Sequence, residues 1–567
     1  MPTSLVPLRV PRARSLAVVL ATPLALVSLA FQPGRAFART IIVALVGGDF
    51  ATVAAGVGAA QAGDTVAVRT GIYHEAVTFG RSGSAGAGFI TLAGGAGATL
   101  DGTGLSGPGI TISGKSYIRV VGMTVQNFKG SGTPMGISVD GSSSFIELRN
   151  NLIHNIENPT GNAHGIAFYG TASAPMTHLV IDGNEIRNCR LGQSESLVLN
   201  GNIDGFVVSR NTVHDNDNIG IDFIGFEGTG PAGLDQARNG TCVDNVIYNI
   251  SSATNPTYGG DRSADGIYVD GGRNVVIERN RVDNCDIGVE IASEHSGKAA
   301  ANITVRNNLI SRSYQGNILM GGYAASRGIA RSVVVVQNTT CQGTGGEILL
   351  QYNCDSVFVK NNILCASGGQ PYVFDGGGNN THITLANNLY YGASLTSPGS
   401  FADPLARFVN PLLVSAADLH LLPGSPAIDA GIVLGNDAQG QPLAGTSDVD
   451  GEPRVRGSDI DIGADEFAGG ILGVEGPPTA GAPVALVALN PVRGATTVRY
   501  ALPSEARVTL RVFDLRGRVI ATPVDREIQA AGSQHASLRA ELWPPGCYFI
   551  CLTVSGTTLT RRMFVLR

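Results

Sequence analysis

Charged residues are scarce in this chain, and long uninterrupted apolar runs are scarcer still. Only 15% of the 567 residues are charged, whereas 43% are hydrophobic and 76 are glycine. So high a hydrophobic fraction excludes a disordered chain, and so many glycines suit a fold rich in tight turns. Beyond Phe31 no stretch approaches the ~18 consecutive apolar residues of a membrane-spanning helix. We therefore predict no transmembrane segment.

Basic residues are also in deficit, because 39 Lys and Arg stand against 45 Asp and Glu, for a net charge of −6. The imbalance is uneven. Residues 1–38 contain four Arg and no acid, and residues 481–567 contain eleven Arg and five acids, so the body between them is strongly acidic. This excludes nucleic acid as a partner. It also disfavours a polyanionic substrate unless a bound cation or a basic patch offsets the repulsion.

One short phrase recurs through the body of the chain. It consists of an Asn, any residue, a branched apolar residue, any residue and often a second Asn. The leading asparagines are Asn151, Asn184, Asn211, Asn245, Asn280, Asn308, Asn338, Asn362 and Asn388. Successive leading asparagines are 24 to 35 residues apart. Self-similarity at such a period predicts a solenoid. We expect the asparagines to be structural, because a short amide satisfies the backbone groups of a buried turn and tolerates left-handed conformations.

Between these phrases lie short alternating runs of β-branched residues, such as 220–224, 266–270 and 288–292. The runs are too brief for helices and too apolar for loops, so each period holds two or three strands. Stacking the periods pairs each strand in parallel with its counterpart about 4.8 Å away. The fold class predicted is all-β: a right-handed parallel β-helix followed by a small Ig-like β-sandwich.

The N-terminal part predicts export and then entry into the solenoid. Residues 1–38 form a signal peptide, since three Arg precede the apolar run 15–31 and Ala36-Phe37-Ala38 supplies a cleavage pattern. Residues 40–102 resemble the entry segment of secreted pectin-lyase-like β-helices. That resemblance implies a strand, a short amphipathic helix that caps the open end, and a first coil. We assign residues 39–407 to the β-helix with its N-terminal cap.

The pattern changes from residue 408, with Asp418-Leu-His-Leu-Leu-Pro-Gly-Ser-Pro and Asp459-Ile-Asp-Ile-Gly-Ala-Asp-Glu-Phe467. Residues 408–467 resemble the choice-of-anchor Q module that closes many bacterial surface β-helices. Asp448, Asp450 and Glu452 could chelate calcium, but turn formation by Asp-Gly and Asp-x-Asp is favoured. Residues 468–483 form a Gly/Pro linker.

Residues 484–567 contain short alternating strands typical of a small β-sandwich. Asn490-Pro491, residues 514–518 and the end at Arg561-Arg-Met-Phe-Val-Leu-Arg567 resemble the C-terminal sorting domain of type IX secretion and the related FlgD-like Ig fold. The resemblance implies outer-membrane secretion machinery as a partner and a secreted or surface-attached protein. Export also makes disulfides possible, and Cys341 and Cys365 stack in consecutive periods. A bond and a reduced pair remain open alternatives there.

Two turns are much longer than the others, at residues 226–240 and 251–264, and they bracket the same part of the solenoid. Aligning the strands on their Gly-Ile starts places one polar set on the exterior between them. The candidate catalytic residues in this set are Asp222, Tyr268, Asp270 and Glu290. The candidate substrate-binding residues in the adjoining turns are Tyr258, Arg262, Asp265 and His295. Long loops on a rigid scaffold are where binding is usually placed.

Several chemistries fit this set. Asp222 and Glu290 should lie two coils apart, which suits the ~6.5–9.5 Å carboxyl separation of an inverting glycosidase. The same carboxylates could hold Ca²⁺ for β-elimination on a uronate, with Tyr268, Arg262, His295 or Lys298 as base. We favour a polysaccharide hydrolase over a lyase because the set is acidic and no base is obvious. The alternative is a non-catalytic adhesin or glycan-binding solenoid. We expect a monomer.

Overall fold

A computed structural model describes residues 38–392, 397–437, 439–467, 485–488, 492, 494–502, 504–554 and 557–566. The signal peptide predicted over residues 1–38, except Ala38, and the linker predicted over 468–483 lie outside the described residues. The predicted fold class is confirmed: three parallel sheets wind around one axis as a right-handed β-helix of about 13 turns. A small domain of antiparallel sheets follows. None of the described helices has the length and apolar character needed to cross a membrane.

Most coils contribute one strand to each of three sheets, which contain 13, 11 and 13 strands. The first sheet contains Thr40–Val43, Thr65–Val68, Ile90–Gly94, Ile118–Val121, Ile146–Arg149, Leu179–Asp182, Ile203–Ser209, Ala237–Val243, Arg273–Glu278, Ala299–Arg306, Ile329–Val336, Cys354–Lys360 and Thr381–Ala386. The second sheet contains Val77–Thr78, Pro108–Ser113, Met135–Asp140, His164–Gly170, Leu197–Gly201, Ile221–Ile224, Asp265–Asp270, Ile287–Ala292, Gly316–Met320, Ile348–Tyr352 and Val373–Gly378. The third sheet contains Gly71–Tyr73, Ala98–Asp101, Thr124–Gln126, Leu152–His154, Glu185–Arg187, Thr212–Asn216, Val246–Ile250, Arg281–Cys285, Leu309–Ser311, Thr339–Cys341, Ile363–Cys365, Leu389–Tyr391 and Arg407–Phe408.

The recurring asparagines form a continuous buried ladder between the first and third sheets. In each coil the side-chain oxygen accepts the backbone N–H and the Nδ2 of the equivalent Asn one coil earlier, at 2.8–3.1 Å. Each Nδ2 also donates to a backbone carbonyl, as from Asn184 to Leu148 at 2.9 Å. The structural role predicted for these asparagines is confirmed, because every one is at most 1% exposed and hydrogen-bonded.

The ladder ends at Asp403, which replaces the next Asn with a carboxylate. Asp403 accepts the backbone N–H and the Nδ2 of Asn388 and the hydroxyl of Tyr390, at 2.9–3.0 Å. Left-handed backbone occurs at the residue before the ladder Asn, as at Asn150, and at the second Asn of the phrase, as at Asn155. The ladder asparagines therefore act through their side chains, whereas the second asparagines serve the backbone turn.

A short helix, Val53–Ala59, packs its apolar face against the first coils. Thr52 caps this helix, and the carboxylate of Glu75 accepts the N–H groups of Val53 and Ala54 at 2.7 and 2.9 Å. A carboxylate at a helix N-terminus satisfies donors that have no partner within the helix. Glu75 thus fastens the cap to the first coil.

The segment from residue 409 to 467 runs back along the flank of the solenoid. It contains the antiparallel pair Leu413–Ser415 and Asp418–Leu421, and its backbone bonds to side chains of successive coils. Ala464 N–H donates to Thr339 Oγ1 at 3.0 Å, and Gln337 Nε2 donates to the Asp461 carbonyl at 2.9 Å. These contacts cover polar turns that would otherwise face solvent.

The C-terminal domain consists of two antiparallel sheets around one apolar core. The strands of the smaller sheet are Ala485–Ala488, Thr496–Leu502 and Gly532–Leu538, and those of the larger are Ala506–Asp514, Val519–Gln529, Gly546–Val554 and Thr557–Val565. A 3₁₀ turn covers Ala540–Leu542. Cys341 and Cys365 are paired in register in the solenoid, and both thiols are free.

Candidate functional site: a buried carboxylate column

One column of the second sheet carries the candidate catalytic residues. The parallel register pairs Val198 with Asp222, Asp222 with Tyr268, and Tyr268 with Glu290. The chain neighbours of Asp222, Ile221 and Phe223, are fully buried in the solenoid core. Because side chains alternate along a strand, the column points away from that core. The column predicted from the sequence is therefore confirmed in both register and direction.

A second column of the same sheet contains Asn200, Ile224, Asp270 and Ala292, and its pairing is interrupted at the site. Asn200 pairs with Ile224, but Ile224 then forms an antiparallel bridge with Gly271 instead of continuing to Asp270. Asp270 pairs onward with Ala292. The ladder between the strands Ile221–Ile224 and Asp265–Asp270 is thus short, because the long loop after residue 225 turns the first of these strands away.

The sequence places the candidate residues on the exterior of the solenoid, but the structure buries them from solvent. Only 2% of Asp222, 2% of Asp265, 5% of Asp270, 7% of Tyr268 and 8% of Glu290 is accessible to solvent. The side chains leave the tube, but the long loops and the neighbouring turns fold over them. Long insertions on one face of a solenoid can bury an exterior column in this way, and sequence alternation alone does not register it.

Three contacts hold the segments around the column in place. Glu227 Oε1 of the first long loop lies 2.8 Å from His295 Nε2, and Lys298 stands over the ring of Phe226 at 5.2 Å. In the second long loop, the 3₁₀ turns Ser252–Thr254 and Pro256–Tyr258 bring the Tyr258 hydroxyl to Asn218 Nδ2 at 3.1 Å. His295 and Tyr258 therefore lie at the rim of the buried cluster.

Arg262 is not directed at the carboxylates. Its Nε donates to Asp286 Oδ1 at 2.8 Å, and its guanidinium lies 4.1 Å from the ring centre of Tyr314. Asp286 is fully buried and also accepts hydrogen bonds from the second long loop, at Ser251 and Ser252. Arg262 thus fastens the base of that loop, and its predicted contact with substrate stays a prediction.

Burial and mutual repulsion shift the acids of the cluster toward their protonated forms. Burial, with Glu195 and Asp270 nearby, raises the pKa of Asp222 well above its ordinary value. Burial raises the pKa of Asp265 well above its ordinary value, and so does Glu290, which is hydrogen-bonded to it. Burial raises the pKa of Glu290 to about 7, since the hydrogen bond from Asp265 offsets part of the shift. Burial and the charge of Glu294 raise the pKa of Asp270 well above its ordinary value.

Several buried polar atoms around the column have no hydrogen-bond partner. They are His164 Nδ1, Asn200 Oδ1, Asp217 Oδ2, Asn218 Oδ1, Asp222 Oδ1 and Asp265 Oδ1. Buried polar groups in proteins are nearly always paired, so a concentration of unpaired ones calls for a specific explanation, and a catalytic role or a bound molecule supplies one. Asp270 differs, because its Oδ1 accepts the Glu294 N–H at 3.0 Å.

Sequence reasoning missed part of the cluster. His164 is buried, bonds the Tyr169 hydroxyl at 2.8 Å and lies 3.3 Å from Glu195. His214 is likewise buried, between Asp215 and Glu185. One signal was available: His164, Glu195 and Asp265 each stand two positions before the inward apolar residue of their strand.

The calcium site considered at Asp448, Asp450 and Glu452 does not form as a set. Asp448 Oδ1 accepts the N–H groups of Asp450 and Glu452, and its Oδ2 accepts that of Glu466. Glu452 pairs with Arg456. These are the bonds of a loop held by an Asp side chain, in line with the turn interpretation.

Two family models match parts of the chain. Residues 108–327 match the family model described as right handed beta helix region, and residues 490–566 match the secretion system C-terminal sorting domain. The chain is 39% identical over 362 residues to YwoF of Bacillus subtilis strain 168, described as uncharacterized. The match spans 60% of this chain and 76% of YwoF.

Solved structures resemble the chain more distantly. XylC in complex with xylose aligns with a TM-score of 0.44 at 12% identity, over 75% of this chain and 98% of that one. An exopolygalacturonase of family 28 from Yersinia enterocolitica aligns with a TM-score of 0.31 at 13% identity, over 66% and 78%. The chain therefore belongs to the same family as YwoF, and it contains a right-handed β-helix region and a secretion-system C-terminal sorting domain.

Proposed function

We propose that the protein is an exported polysaccharide-active enzyme that hydrolyses glycosidic bonds at the carboxylate column. The observation that carries this proposal is the pair of buried carboxyl oxygens without a partner, Asp222 Oδ1 and Asp265 Oδ1. Asp222 stands in the same column as Glu290, and Asp265 is hydrogen-bonded to Glu290. Acids kept partly protonated by burial are what general acid catalysis at neutral pH requires.

Burial and position suggest the roles. Glu290, whose pKa burial raises to about 7, serves as the base that activates water. Asp222, whose pKa burial raises well above its ordinary value, donates a proton to the leaving oxygen. Asp265 is hydrogen-bonded to Glu290 and orients it. Two coils separate Asp222 from Glu290, roughly 9–10 Å between backbones. That spacing suits an inverting mechanism, in which water enters between the two carboxyls.

The charge around the column favours a neutral glycan. Glu195, Glu227 and Glu294 surround the buried acids, and the interactions of Glu195 and Glu294 reach Asp222. A polyuronate would meet this negative potential unless a cation intervened. The covering contact between Glu227 and His295 must open to admit a chain, so substrate access is coupled to movement of the first long loop.

One observation favours a second candidate function. Since the acids are covered, the solenoid would bind glycans on its exposed flanks without cleaving them if the loops never open. A non-catalytic glycan-binding solenoid of this kind would also use the C-terminal sorting domain for export and display.

A panel of neutral and uronate polysaccharides, incubated with the purified full chain, tests both. We expect new reducing ends from a neutral glycan, with inverted anomeric configuration by NMR. Absorbance near 235 nm would indicate a lyase instead, and retention on a glycan column without products would indicate a binder.

Variants then test the residues. Asp222→Asn and Glu290→Gln are expected to lower kcat at least ~10³-fold. Glu347→Gln is the matched control: Glu347 is fully buried and burial raises its pKa to about 7, but it bonds Asn317 and Gly343 away from the column. Full activity in both column variants would contradict the proposal, and equal loss in the control would point to folding instead.

A further inference from the structure

A second cluster of ligating side chains lies on the flanking segment, away from the carboxylate column. His420 comes from the strand Asp418–Leu421, and Asp450 and Asp465 come from two later loops. One ligand atom from each lies within 4.8 Å of the others, and among the described residues this is the one group of three or more His, Cys, Asp or Glu that meets this geometry. Loops far apart in sequence therefore converge on one point.

The orientation of His420 is that of a metal-binding histidine. Its Nδ1 bonds the carboxylate of Asp418. Its Nε2 is inaccessible to solvent, lies 2.9 Å from Asp450 Oδ2 and makes no hydrogen bond of good geometry. Metal-ligating histidines commonly donate one ring N–H to a carboxylate, which fixes the ring and leaves the other nitrogen for the ion.

The two carboxylates are held in place by their other oxygens. Asp465 is 8% exposed, and its Oδ2 accepts the Leu421 N–H at 2.7 Å. Asp450 Oδ1 accepts from Arg281 at 2.7 Å, which links the cluster to the coil beneath it. Asp418 is a third carboxylate beside the ring, and Arg562 as well as Arg281 interacts with Asp450.

We propose that His420, Asp450 and Asp465 bind a divalent transition-metal ion of the Zn²⁺ type, which fastens the flanking segment to the coils through Arg281. One imidazole and two carboxylates suit Zn²⁺ or Mn²⁺, whereas Ca²⁺ prefers oxygen ligands alone. Bonds of about 2.0–2.2 Å require only small shifts of the carboxylates toward the ring. Asp448 stays outside the site because its oxygens accept backbone N–H groups.

The ordinary ion-pair interpretation of this cluster, in which His420 lies between the carboxylates of Asp418 and Asp450, predicts no saturable metal binding.

The test uses the untagged full chain, stripped with a chelator and titrated calorimetrically with Zn²⁺, then with Mn²⁺ and Ca²⁺. We expect one Zn²⁺ per chain and a higher melting temperature when it is bound. His420→Gln and Asp465→Asn should each weaken Zn²⁺ binding at least 10-fold. His382→Ala is the control, since His382 is exposed and pairs with Asp355 outside the cluster.

Two results would overturn the proposal. One is Zn²⁺ binding that is absent from the wild-type protein or unchanged in both cluster variants. The other is saturable Ca²⁺ binding at the same residues without Zn²⁺ binding. If His420→Gln fails to fold, Asp465→Asn still decides the matter, because both residues are proposed to hold the same ion.

Discussion

The asparagine ladder and the carboxylate column are built by the same repeat, and they behave in opposite ways. Both use the parallel stacking of polar residues on successive coils about 4.8 Å apart. An amide both donates and accepts, so a stack of asparagines satisfies itself, and every ladder residue is bonded. Carboxylates only accept, so bringing Asp222, Asp265 and Glu290 together leaves oxygens unpaired and raises pKa values. The repeat therefore stabilises one side and concentrates reactive groups on another.

The largest expected effect comes from converting the ladder into the column. Asn245→Asp should destabilise the fold by about 4 kcal/mol, because it removes the Nδ2 donor and sets a buried carboxylate against the Asn280 oxygen. Urea unfolding measures this. Asn274→Asp, in the exposed stack on the first sheet, is the matched control and should cost less than about 1 kcal/mol. Equal costs would mean that burial does not distinguish the two stacks.

The converse change should have the opposite sign. Asp222→Asn replaces a buried acid without a full set of partners by a neutral amide of the same shape. We expect a gain of about 1 kcal/mol in the free energy of unfolding at pH 8, together with loss of activity. A gain in stability with lost function marks a residue kept for chemistry. Destabilisation as large as that of Asn245→Asp would show that the column is structural as well.

The pH dependence of stability should separate the two regions further. The pKa of Glu290 is about 7 in the fold and about 4.5 when unfolded, so the unfolded chain releases its proton first as pH rises. Stability from this group is complete below pH 4.5 and is lost up to about pH 7, at no more than about 1.4 kcal/mol per pH unit. Glu290→Gln should flatten that slope between pH 5 and pH 7 in urea unfolding, and the ladder variant Asn308→Ala should leave it unchanged.

The smallest effect should come from a partly buried asparagine outside the ladder. Asn249 donates to Asp215 and accepts from Asn284 at 2.8 Å, with a φ of 54°. Asn249→Gly removes both bonds at a position whose backbone glycine adopts freely, so we expect a change within about 0.5 kcal/mol by thermal unfolding. A cost above about 2 kcal/mol would show that partly buried stacks contribute as the fully buried ladder does.

Much of the fold followed from the sequence because register in a solenoid is set by short periods. The Asn phrase located each coil, and the Gly-Ile starts placed Asp222, Tyr268 and Glu290 in one column. Residues at strand ends escaped the same reasoning. Asp265 bonds Glu290, and His164 is buried beside Glu195, because the turns before these strands bend inward. Those turns vary in length, and no periodic signal fixes their paths.

By itself the sequence determined the three-sheet solenoid, the stacked asparagines and the column that carries the acids, since alternation and repeat spacing act locally. Only the tertiary structure decided that this column is buried, which of its carboxyl oxygens lack partners, and that His420, Asp450 and Asp465 meet on the flank. The physical reason is the same in each case. Burial and pairing depend on where long loops fold across distant coils, and that arrangement is set by contacts between residues far apart in the chain.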